Sequence, residues 1–342
     1  MKAVVLVGGL GTRLRPLTLR TPKQMLPVAG RPLIERVVAH LAAHGVEEVV
    51  LSLAYRPDAF SGAYPDGTCA GVPLTYVVEP EPLDTAGAVG FAAREAAIDE
   101  RFLVVNGDVL TDLDVTALVS YHHGAHERAG AQATIQLVTV EDPSPFGAVT
   151  IDHDGKVLAF VEKPTAGEAA SADVNAGYYV FEPEVIERIP AGGRANLERE
   201  TFPAMVADGA LYACLAPAWW IDVGTPERFL QASLDLLDRQ PGDPVLVSGD
   251  AVVATSAIVS RSFIGHGARV GRNARVEDSV VFARAIVGNG ALVRRSVVGA
   301  TAVIGDAAVV SELSVLGNDT EVEGGAELVG AVLPDPSTWP PG

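Results

Sequence analysis

Near its start the chain reads Gly8-Gly9-Leu10-Gly11-Thr12-Arg13-Leu14-Arg15-Pro16-Leu17-Thr18, with Pro22-Lys23 close behind. Glycines grouped this way let a backbone approach a ligand, and clustered N–H groups suit phosphate oxygens. An ordinary tight turn between strand and helix would use the same glycines. The spacing is not the GxGxxG of a dinucleotide site, and no Gly-Lys-Ser or Gly-Lys-Thr makes it a P-loop. The cations tip the balance. Arg13 and Arg15 exceed what a turn requires, the guanidinium fork matches phosphate geometry, and Lys23 adds a point charge. Together they predict a nucleoside triphosphate site.

Two carboxylates stand where such chemistry would need a metal. Asp108 closes Asn106-Gly107-Asp108 after an apolar run, and Asp222 lies between Trp219-Trp220-Ile221 and Val223-Gly224-Thr225-Pro226. Magnesium takes one or two carboxylates and completes its shell with phosphate oxygens and water, so this pair would suffice for Mg²⁺. Turn capping is the plain alternative for either Asp alone. His122 and His126 are four apart, but a solvated helix end accounts for them and for His123. His266 reads as a surface histidine on a turn. Cys69 and Cys214 lack CxxC spacing, so the expectation is two buried thiols and neither zinc nor a disulfide.

The elements that must position these residues alternate. Residues 3–6 read as a buried strand, 33–44 as a helix, 46–53 and 74–78 as strands, 86–97 as a helix and 102–105 as a strand. This order predicts an α/β fold, a Rossmann-like, mostly parallel sheet. Ligands of such sheets lie at the carboxyl ends of strands, where residues 8–13, 79–87 and 107–108 all fall.

From about Val247 the pattern changes to apolar residues six apart: Ile258, Ile264, Val270 and Val276, then Ile286, Leu292 and Val298, then Val303, Val309 and Val315. Glycine repeatedly follows the apolar residue. This is the mark of a hexapeptide left-handed parallel β-helix, each coil burying its apolar residue against the next. The domain boundaries expected are 1–237 for the α/β domain, 238–247 for a breaker-rich linker, 248–333 for the β-helix and 334–342 for a proline-rich, frayed tail.

Composition narrows the class. The 342 residues are 48% hydrophobic and carry a net charge of −18, which speaks against nucleic acid as a partner. There is no charged leader before an apolar core and no apolar run long enough to span a bilayer, so no membrane association and a cytoplasmic location are expected. In so acidic a chain, gathering Arg13, Arg15, Arg20 and Lys23 within a short stretch is a local investment in binding anions.

The ordered motifs resemble those of the sugar-1-phosphate nucleotidylyltransferases. The resemblance begins with the stretch from Gly8 to Thr18, Pro22-Lys23 and Leu26-Pro27. It continues through Glu79-Pro80, Thr85-Ala86-Gly87, Asn106-Gly107-Asp108, Phe146-Gly147, Phe160-Val161-Glu162-Lys163-Pro164, Asn175-Ala176-Gly177 and Asp222-Val223-Gly224-Thr225-Pro226. It spans residues 1–235, and the branch most resembled joins GTP to mannose 1-phosphate. The resemblance implies that the sugar phosphate attacks the α-phosphorus of an NTP in line and pyrophosphate leaves, so that catalysis is positioning and charge stabilisation.

It implies roles as well. Arg13 and Lys23 would be catalytic. Leu6, Gly8, Gly9, Gly11, Thr12, Arg13, Glu79, Asp84, Thr85, Ala86 and Gly87 would bind the nucleotide. Gly107, Gly147, Glu162, Lys163 and Asn175 would bind the sugar phosphate, and Asp108 and Asp222 the metal. Glu79 would meet the base edge, where a carboxylate can accept both donors of guanine; a solvated Glu flanking Pro80 is the plain alternative. Asp84 departs from the family's glycine, and either accepts from guanine or tolerates left-handed backbone. ATP or dTTP as nucleotide, and glucose, heptose or pseudosugar phosphates as acceptors, stay open, as does acyl transfer by the β-helix. Stacking of β-helices predicts a homo-oligomer, a dimer or higher.

Overall fold

The structure, a computed structural model, describes all residues except 55, 166, 169, 335–337 and 340–342. Most of the expected tail therefore lies outside the described residues. The chain forms two compact units, Met1–Gly9 with Ile34–Trp220, and Leu10–Leu33 with Ile221–Gly342.

The first unit is built on a ten-stranded sheet. Strands β1 (Lys2–Leu6), β2 (Glu48–Leu53), β3 (Val72–Val78) and β4 (Phe102–Asn106) form its parallel centre in the order β4-β1-β2-β3. The Val- and Leu-rich runs of β1, β2 and β4 are buried on both faces, as parallel strands require, whereas β3 keeps Pro73 and Val78 exposed. Strands β5 (Ala133–Thr139), β6 (Gly147–Ile151), β7 (Val157–Glu162), β8 (Asp173–Phe181) and β9 (Leu211–Leu215) extend the sheet beyond β4. There β8 runs antiparallel to β4, so the sheet is mixed at that side.

Helices α1 (Leu33–Ala43) and α2 (Asp84–Glu95) match the expected segments within a few residues. The chain steps from β1 through β2 to β3 on one side, then crosses to β4 on the other. The strand order thus reverses between β1 and β4, the place where open sheets bind ligands. Registers pair Leu6 with both Ser52 and Asn106, and Leu53 with Val78, so the carboxyl ends stand level.

Helix α3 (Val115–Ala129) contains the three histidines; His123 is exposed and His126 half-buried toward its end, so the reading as a solvated helix end is corrected for His122 alone. His122 is fully buried, with its ring nitrogens against Thr134 Oγ1 at 2.8 Å and Glu182 Oε1 at 3.1 Å. Burial lowers its pKa to about 4, against the pull of Glu182. Cys69 is buried and Cys214 only half-buried; both are free thiols.

In the second unit, helix α4 (Pro226–Asp238) leads to short strands stacked in three parallel sheets of six, five and five, the arrangement of a left-handed β-helix. The coil repeat is 17 residues in the first coils, as in the pairs Ser262–Ser279 and Ser279–Ser296, and 18 where Val297 pairs with Val315 and Val303 with Glu321. Inward-pointing residues run Ile264, Val270, Val276, Val281, Val287, Val293, Val298, Ile304, Val310 and Leu316. One side of most coils is a residue short, and this corrects the sequence phase. Ile286, Leu292, Val303 and Val309 stand one place off the inward row, and Ile258 and Ile286 are exposed. A slip of one residue moves a side chain to the opposite face of a strand.

The strip Leu10–Leu33 belongs to this unit. Arg20 Nη1 pairs with Asp319 Oδ2 at 2.8 Å, and a Cβ on Gly317 would stand 3.0 Å from Pro16 Cβ. At Gly30, φ is 82° and a Cβ would stand 3.0 Å from the Phe263 ring.

Candidate active site

In the first unit the predicted residues gather at the carboxyl ends of β1, β3 and β4. Gly107 donates its N–H to Leu6 O at 3.0 Å. A Cβ on Gly107 would lie 2.7 Å from that same oxygen, so glycine is what lets the two strand ends close up beside Asp108. Asp108 itself is half-buried.

Glu79 is not the solvated residue that its neighbour Pro80 allowed for. It is 8% exposed, accepts from Ser52 Oγ at Oε1 (3.0 Å) and accepts from Leu83 N–H at Oε2 (2.9 Å). A Cβ on Gly8 would lie 3.3 Å from Oε1, so the carboxylate faces the glycine turn directly.

Asp84 adopts φ 62°, the left-handed backbone that glycine would supply. Its Oδ1 accepts from Thr85 N–H at 2.8 Å and from Asn196 Nδ2 at 2.9 Å. Ala86 and Gly87 are buried, and both N–H groups donate to Ala195 O, so they shape the turn rather than offer free donors.

Farther along the sheet, Gly147 pairs in register with Glu162, and a Cβ on it would stand 3.1 Å from Glu162 Oε2. The other Glu162 oxygen lies 3.6 Å from Nζ of exposed Lys163. Asn175 donates from Nδ2 to the Tyr179 hydroxyl at 2.8 Å and accepts from Gly177 N–H at 3.0 Å. The ladder shifts register between Asn175 and Tyr179, a bulge of the kind that re-aims a side chain.

In the second unit, Gly11 at φ 61° starts a 3₁₀ turn, Thr12–Leu14, which buries Leu14 and leaves Thr12 and Arg13 exposed. Thr18 Oγ1 donates to Gly11 O at 2.7 Å and pins the turn. Lys23 is only 6% exposed, and its Cβ would lie 3.1 Å from a Cβ on Gly11. Arg13 and Asp222 meet across Gly224. A Cβ there would stand 2.8 Å from Asp222 Oδ1 and 3.0 Å from Arg13 Nη2. Gly224 is buried, and its lack of a side chain lets a carboxylate and a guanidinium close on the same backbone position. Hard oxygen donors of this kind fit a divalent cation such as Mg²⁺. Among the described residues, no cluster of three or more His, Cys, Asp or Glu could hold a metal, so a metal here would rely on few protein ligands.

Three residues had no sequence signal. Ser52 supports Glu79, Asn196 supports Asp84, and Glu198 Oε2 accepts from Thr85 Oγ1 at 2.8 Å. Burial raises the pKa of Glu198, and the nearby charges of Glu162 and Asp84 raise it further. Asn196 and Asp84 lie 112 residues apart, beyond the reach of any local motif.

The nucleotidyl transferase family model matches residues 2–239, and the GMPPB C-terminal domain matches residues 242–336. A mannose-1-phosphate guanylyltransferase of Mycobacterium tuberculosis is 39% identical, over 82% of this chain and 79% of that one. Mannose-1-phosphate guanylyltransferase 1 of Arabidopsis thaliana is 35% identical, over 79% and 74%. A crystal structure of HddC from Yersinia pseudotuberculosis superposes with a TM-score of 0.59 at 29% identity, covering 69% of this chain and 99% of that one. HddC complexed with GMP-PN superposes at 0.58. No helix among the described residues is long and apolar enough to cross a membrane. The chain belongs to the nucleotidyl transferase family and is a sugar-1-phosphate nucleotidylyltransferase.

Proposed function

We propose that this enzyme transfers GMP from GTP to mannose 1-phosphate, forming GDP-mannose and pyrophosphate. The observation that carries the chemistry is the approach of Arg13 and Asp222 to the bare backbone of Gly224. It puts a cation beside a carboxylate suited to metal, the pairing that a triphosphate and its counter-ion need.

The sugar phosphate oxygen attacks the α-phosphorus in line with the departing pyrophosphate. Gly8, Gly9, Gly11 and Thr12 cradle the phosphates. Arg13 takes the charge of the leaving pyrophosphate, and Lys23 contacts the α-phosphate and the entering phosphate. Asp108 and Asp222 would hold Mg²⁺, which when bound neutralises charge between the phosphates. Leu6 and the turn from Asp84 through Thr85, Ala86 and Gly87 seat the nucleoside, with Glu79 at the base edge. Lys163 grips the sugar phosphate, Glu162 and Asn175 bond sugar hydroxyls, and Gly107 and Gly147 keep backbone close to the ligand.

Guanine is supported by the names of the relatives, by GMP-PN in the HddC complex and by Glu79, whose carboxylate keeps further acceptor capacity. We further propose a catalytic domain over 1–237, a linker at 238–247, the β-helix over 248–333 and a tail at 334–342. A cytoplasmic homo-oligomer joined through the β-helix completes the reading.

The test is pyrophosphate release by the purified chain with Mg²⁺, five nucleoside triphosphates, and mannose, glucose and heptose 1-phosphates. The highest kcat/KM is expected for GTP with mannose 1-phosphate. A preference for ATP or dTTP would end the guanine assignment, and a preference for another sugar the mannose one.

A further inference from the structure

Residues 193–198 carry no motif, yet they close on the turn at 83–87 from several sides. Ala195 O accepts from Ala86 N–H at 2.9 Å and Gly87 N–H at 3.0 Å, and Ala195 N–H donates to Leu83 O at 3.0 Å. Asn196 Nδ2 donates to Asp84 Oδ1 at 2.9 Å. Thr85 Oγ1 donates to Glu198 Oε2 at 2.8 Å while accepting from Leu197 N–H at 2.9 Å. The fit is tight: a Cβ on Gly87 would stand 2.9 Å from Gly193 O.

Asp84 needs this support. At φ 62° it holds a backbone conformation that side-chain-bearing residues adopt at a cost, though Asp tolerates it better than most. Its Oδ1 turns back on its own turn to meet Thr85 N–H, and Asn196 supplies the second donor. Asn196 is itself fixed, because its Oδ1 accepts from Arg199 N–H at 2.8 Å and caps the single π-helical turn Leu197–Thr201. Both ends of the amide are used, so its orientation is set.

We propose that Asn196 and Glu198 are positioning residues for the nucleotide, and that Asn196 is what lets an aspartate stand at position 84. Asp84 then organises the turn and does not read the base. This rests on the reading of residues 84–87 as the nucleotide turn.

The experiment is equilibrium binding of GTP and of ATP to the full chain with Mg²⁺ by calorimetry, with steady-state KM values alongside. N196A is expected to weaken GTP binding about tenfold, the loss of a bond to a charged group. The same loss should appear in KM for the nucleotide and not in KM for the sugar phosphate. In a D84G background, N196A should add no further loss, because glycine needs no tether. The GTP-to-ATP affinity ratio of D84G should equal that of the wild type. E198A should weaken GTP binding, and E198Q, which keeps an oxygen for Thr85, should restore it.

The proposal is overturned if the N196A loss persists in D84G, if D84G loses its preference for GTP, or if the effect falls on the sugar phosphate. Should the wild type prefer ATP, the base assignment fails by itself, and the same cycle run with ATP decides the positioning roles.

Discussion

Ser52 Oγ donates to Glu79 Oε1 at 3.0 Å, and the pair is buried directly behind the glycine turn at Gly8. The serine stands one residue before the end of its strand and the glutamate follows the next, so a single bond ties two strand ends together beside Gly8. Ser52→Ala leaves a buried carboxylate short of a donor, which costs about 1–3 kcal/mol. The expected outcome is a lower Tm by calorimetry and a raised KM for the nucleotide. An unchanged Tm and KM would show that the bond does not support the site.

Arg13→Ala should lower kcat by about two orders of magnitude, as loss of one transition-state donor does. Arg13→Lys should recover little of it, because an ammonium lacks the planar fork. Gly224→Ala should also depress kcat, since its methyl carbon would lie 2.8 Å from Asp222 Oδ1 and 3.0 Å from Arg13 Nη2. Single-turnover rates separate these effects from nucleotide affinity.

Chelating divalent metal should abolish turnover. Asp108→Asn and Asp222→Asn should each raise the Mg²⁺ concentration required for half-maximal rate, since a neutral amide binds a hard cation less well. A titration of rate against Mg²⁺ reads this directly, and wild-type metal dependence in both variants would remove these residues from the metal assignment.

His122 makes stability depend on pH. Its folded pKa is lowered to about 4, first by burial and then by the charges of Arg101 and His126, while Glu182 opposes the shift. An unfolded histidine titrates near 6.5, so between these values only the unfolded chain binds the proton. Stability is therefore complete above about pH 6.5 and falls as the pH drops toward 4, by on the order of 3 kcal/mol at full effect. Thr134 and Glu182 face the ring, and hydrogen bonds from Arg101 and His122 hold the Glu182 pKa low despite its burial, which adds to the loss in acid. Tm against pH should slope over this window in the wild type and flatten in His122→Gln.

The β-helix phase can be read by mutation. Val293 is fully buried, and Val293→Ala should cost about 2 kcal/mol from lost burial and a residual cavity. Ile286 is 40% exposed, and Ile286→Ala should stay within about 0.5 kcal/mol. Denaturant midpoints compare the two, and the opposite ranking would restore the uncorrected phase.

The sequence by itself determined the order of strands and helices, the parallel sheet, the β-helix and the reaction family. Those depend on short-range patterns: apolar runs, glycine beside arginine, carboxylates at strand ends. Tertiary structure decided what those patterns leave open. The coil length of the β-helix came from register between successive coils, which a six-residue count inside one coil does not contain. His122 looked solvated because nothing beside it in sequence reports that Glu182 and Thr134 close over it. Asp84 stands in glycine's place with left-handed backbone, and its side-chain partner Asn196 lies 112 residues on. Local chemistry is written in neighbouring residues, whereas the partner that makes an unusual residue tolerable is supplied by the fold.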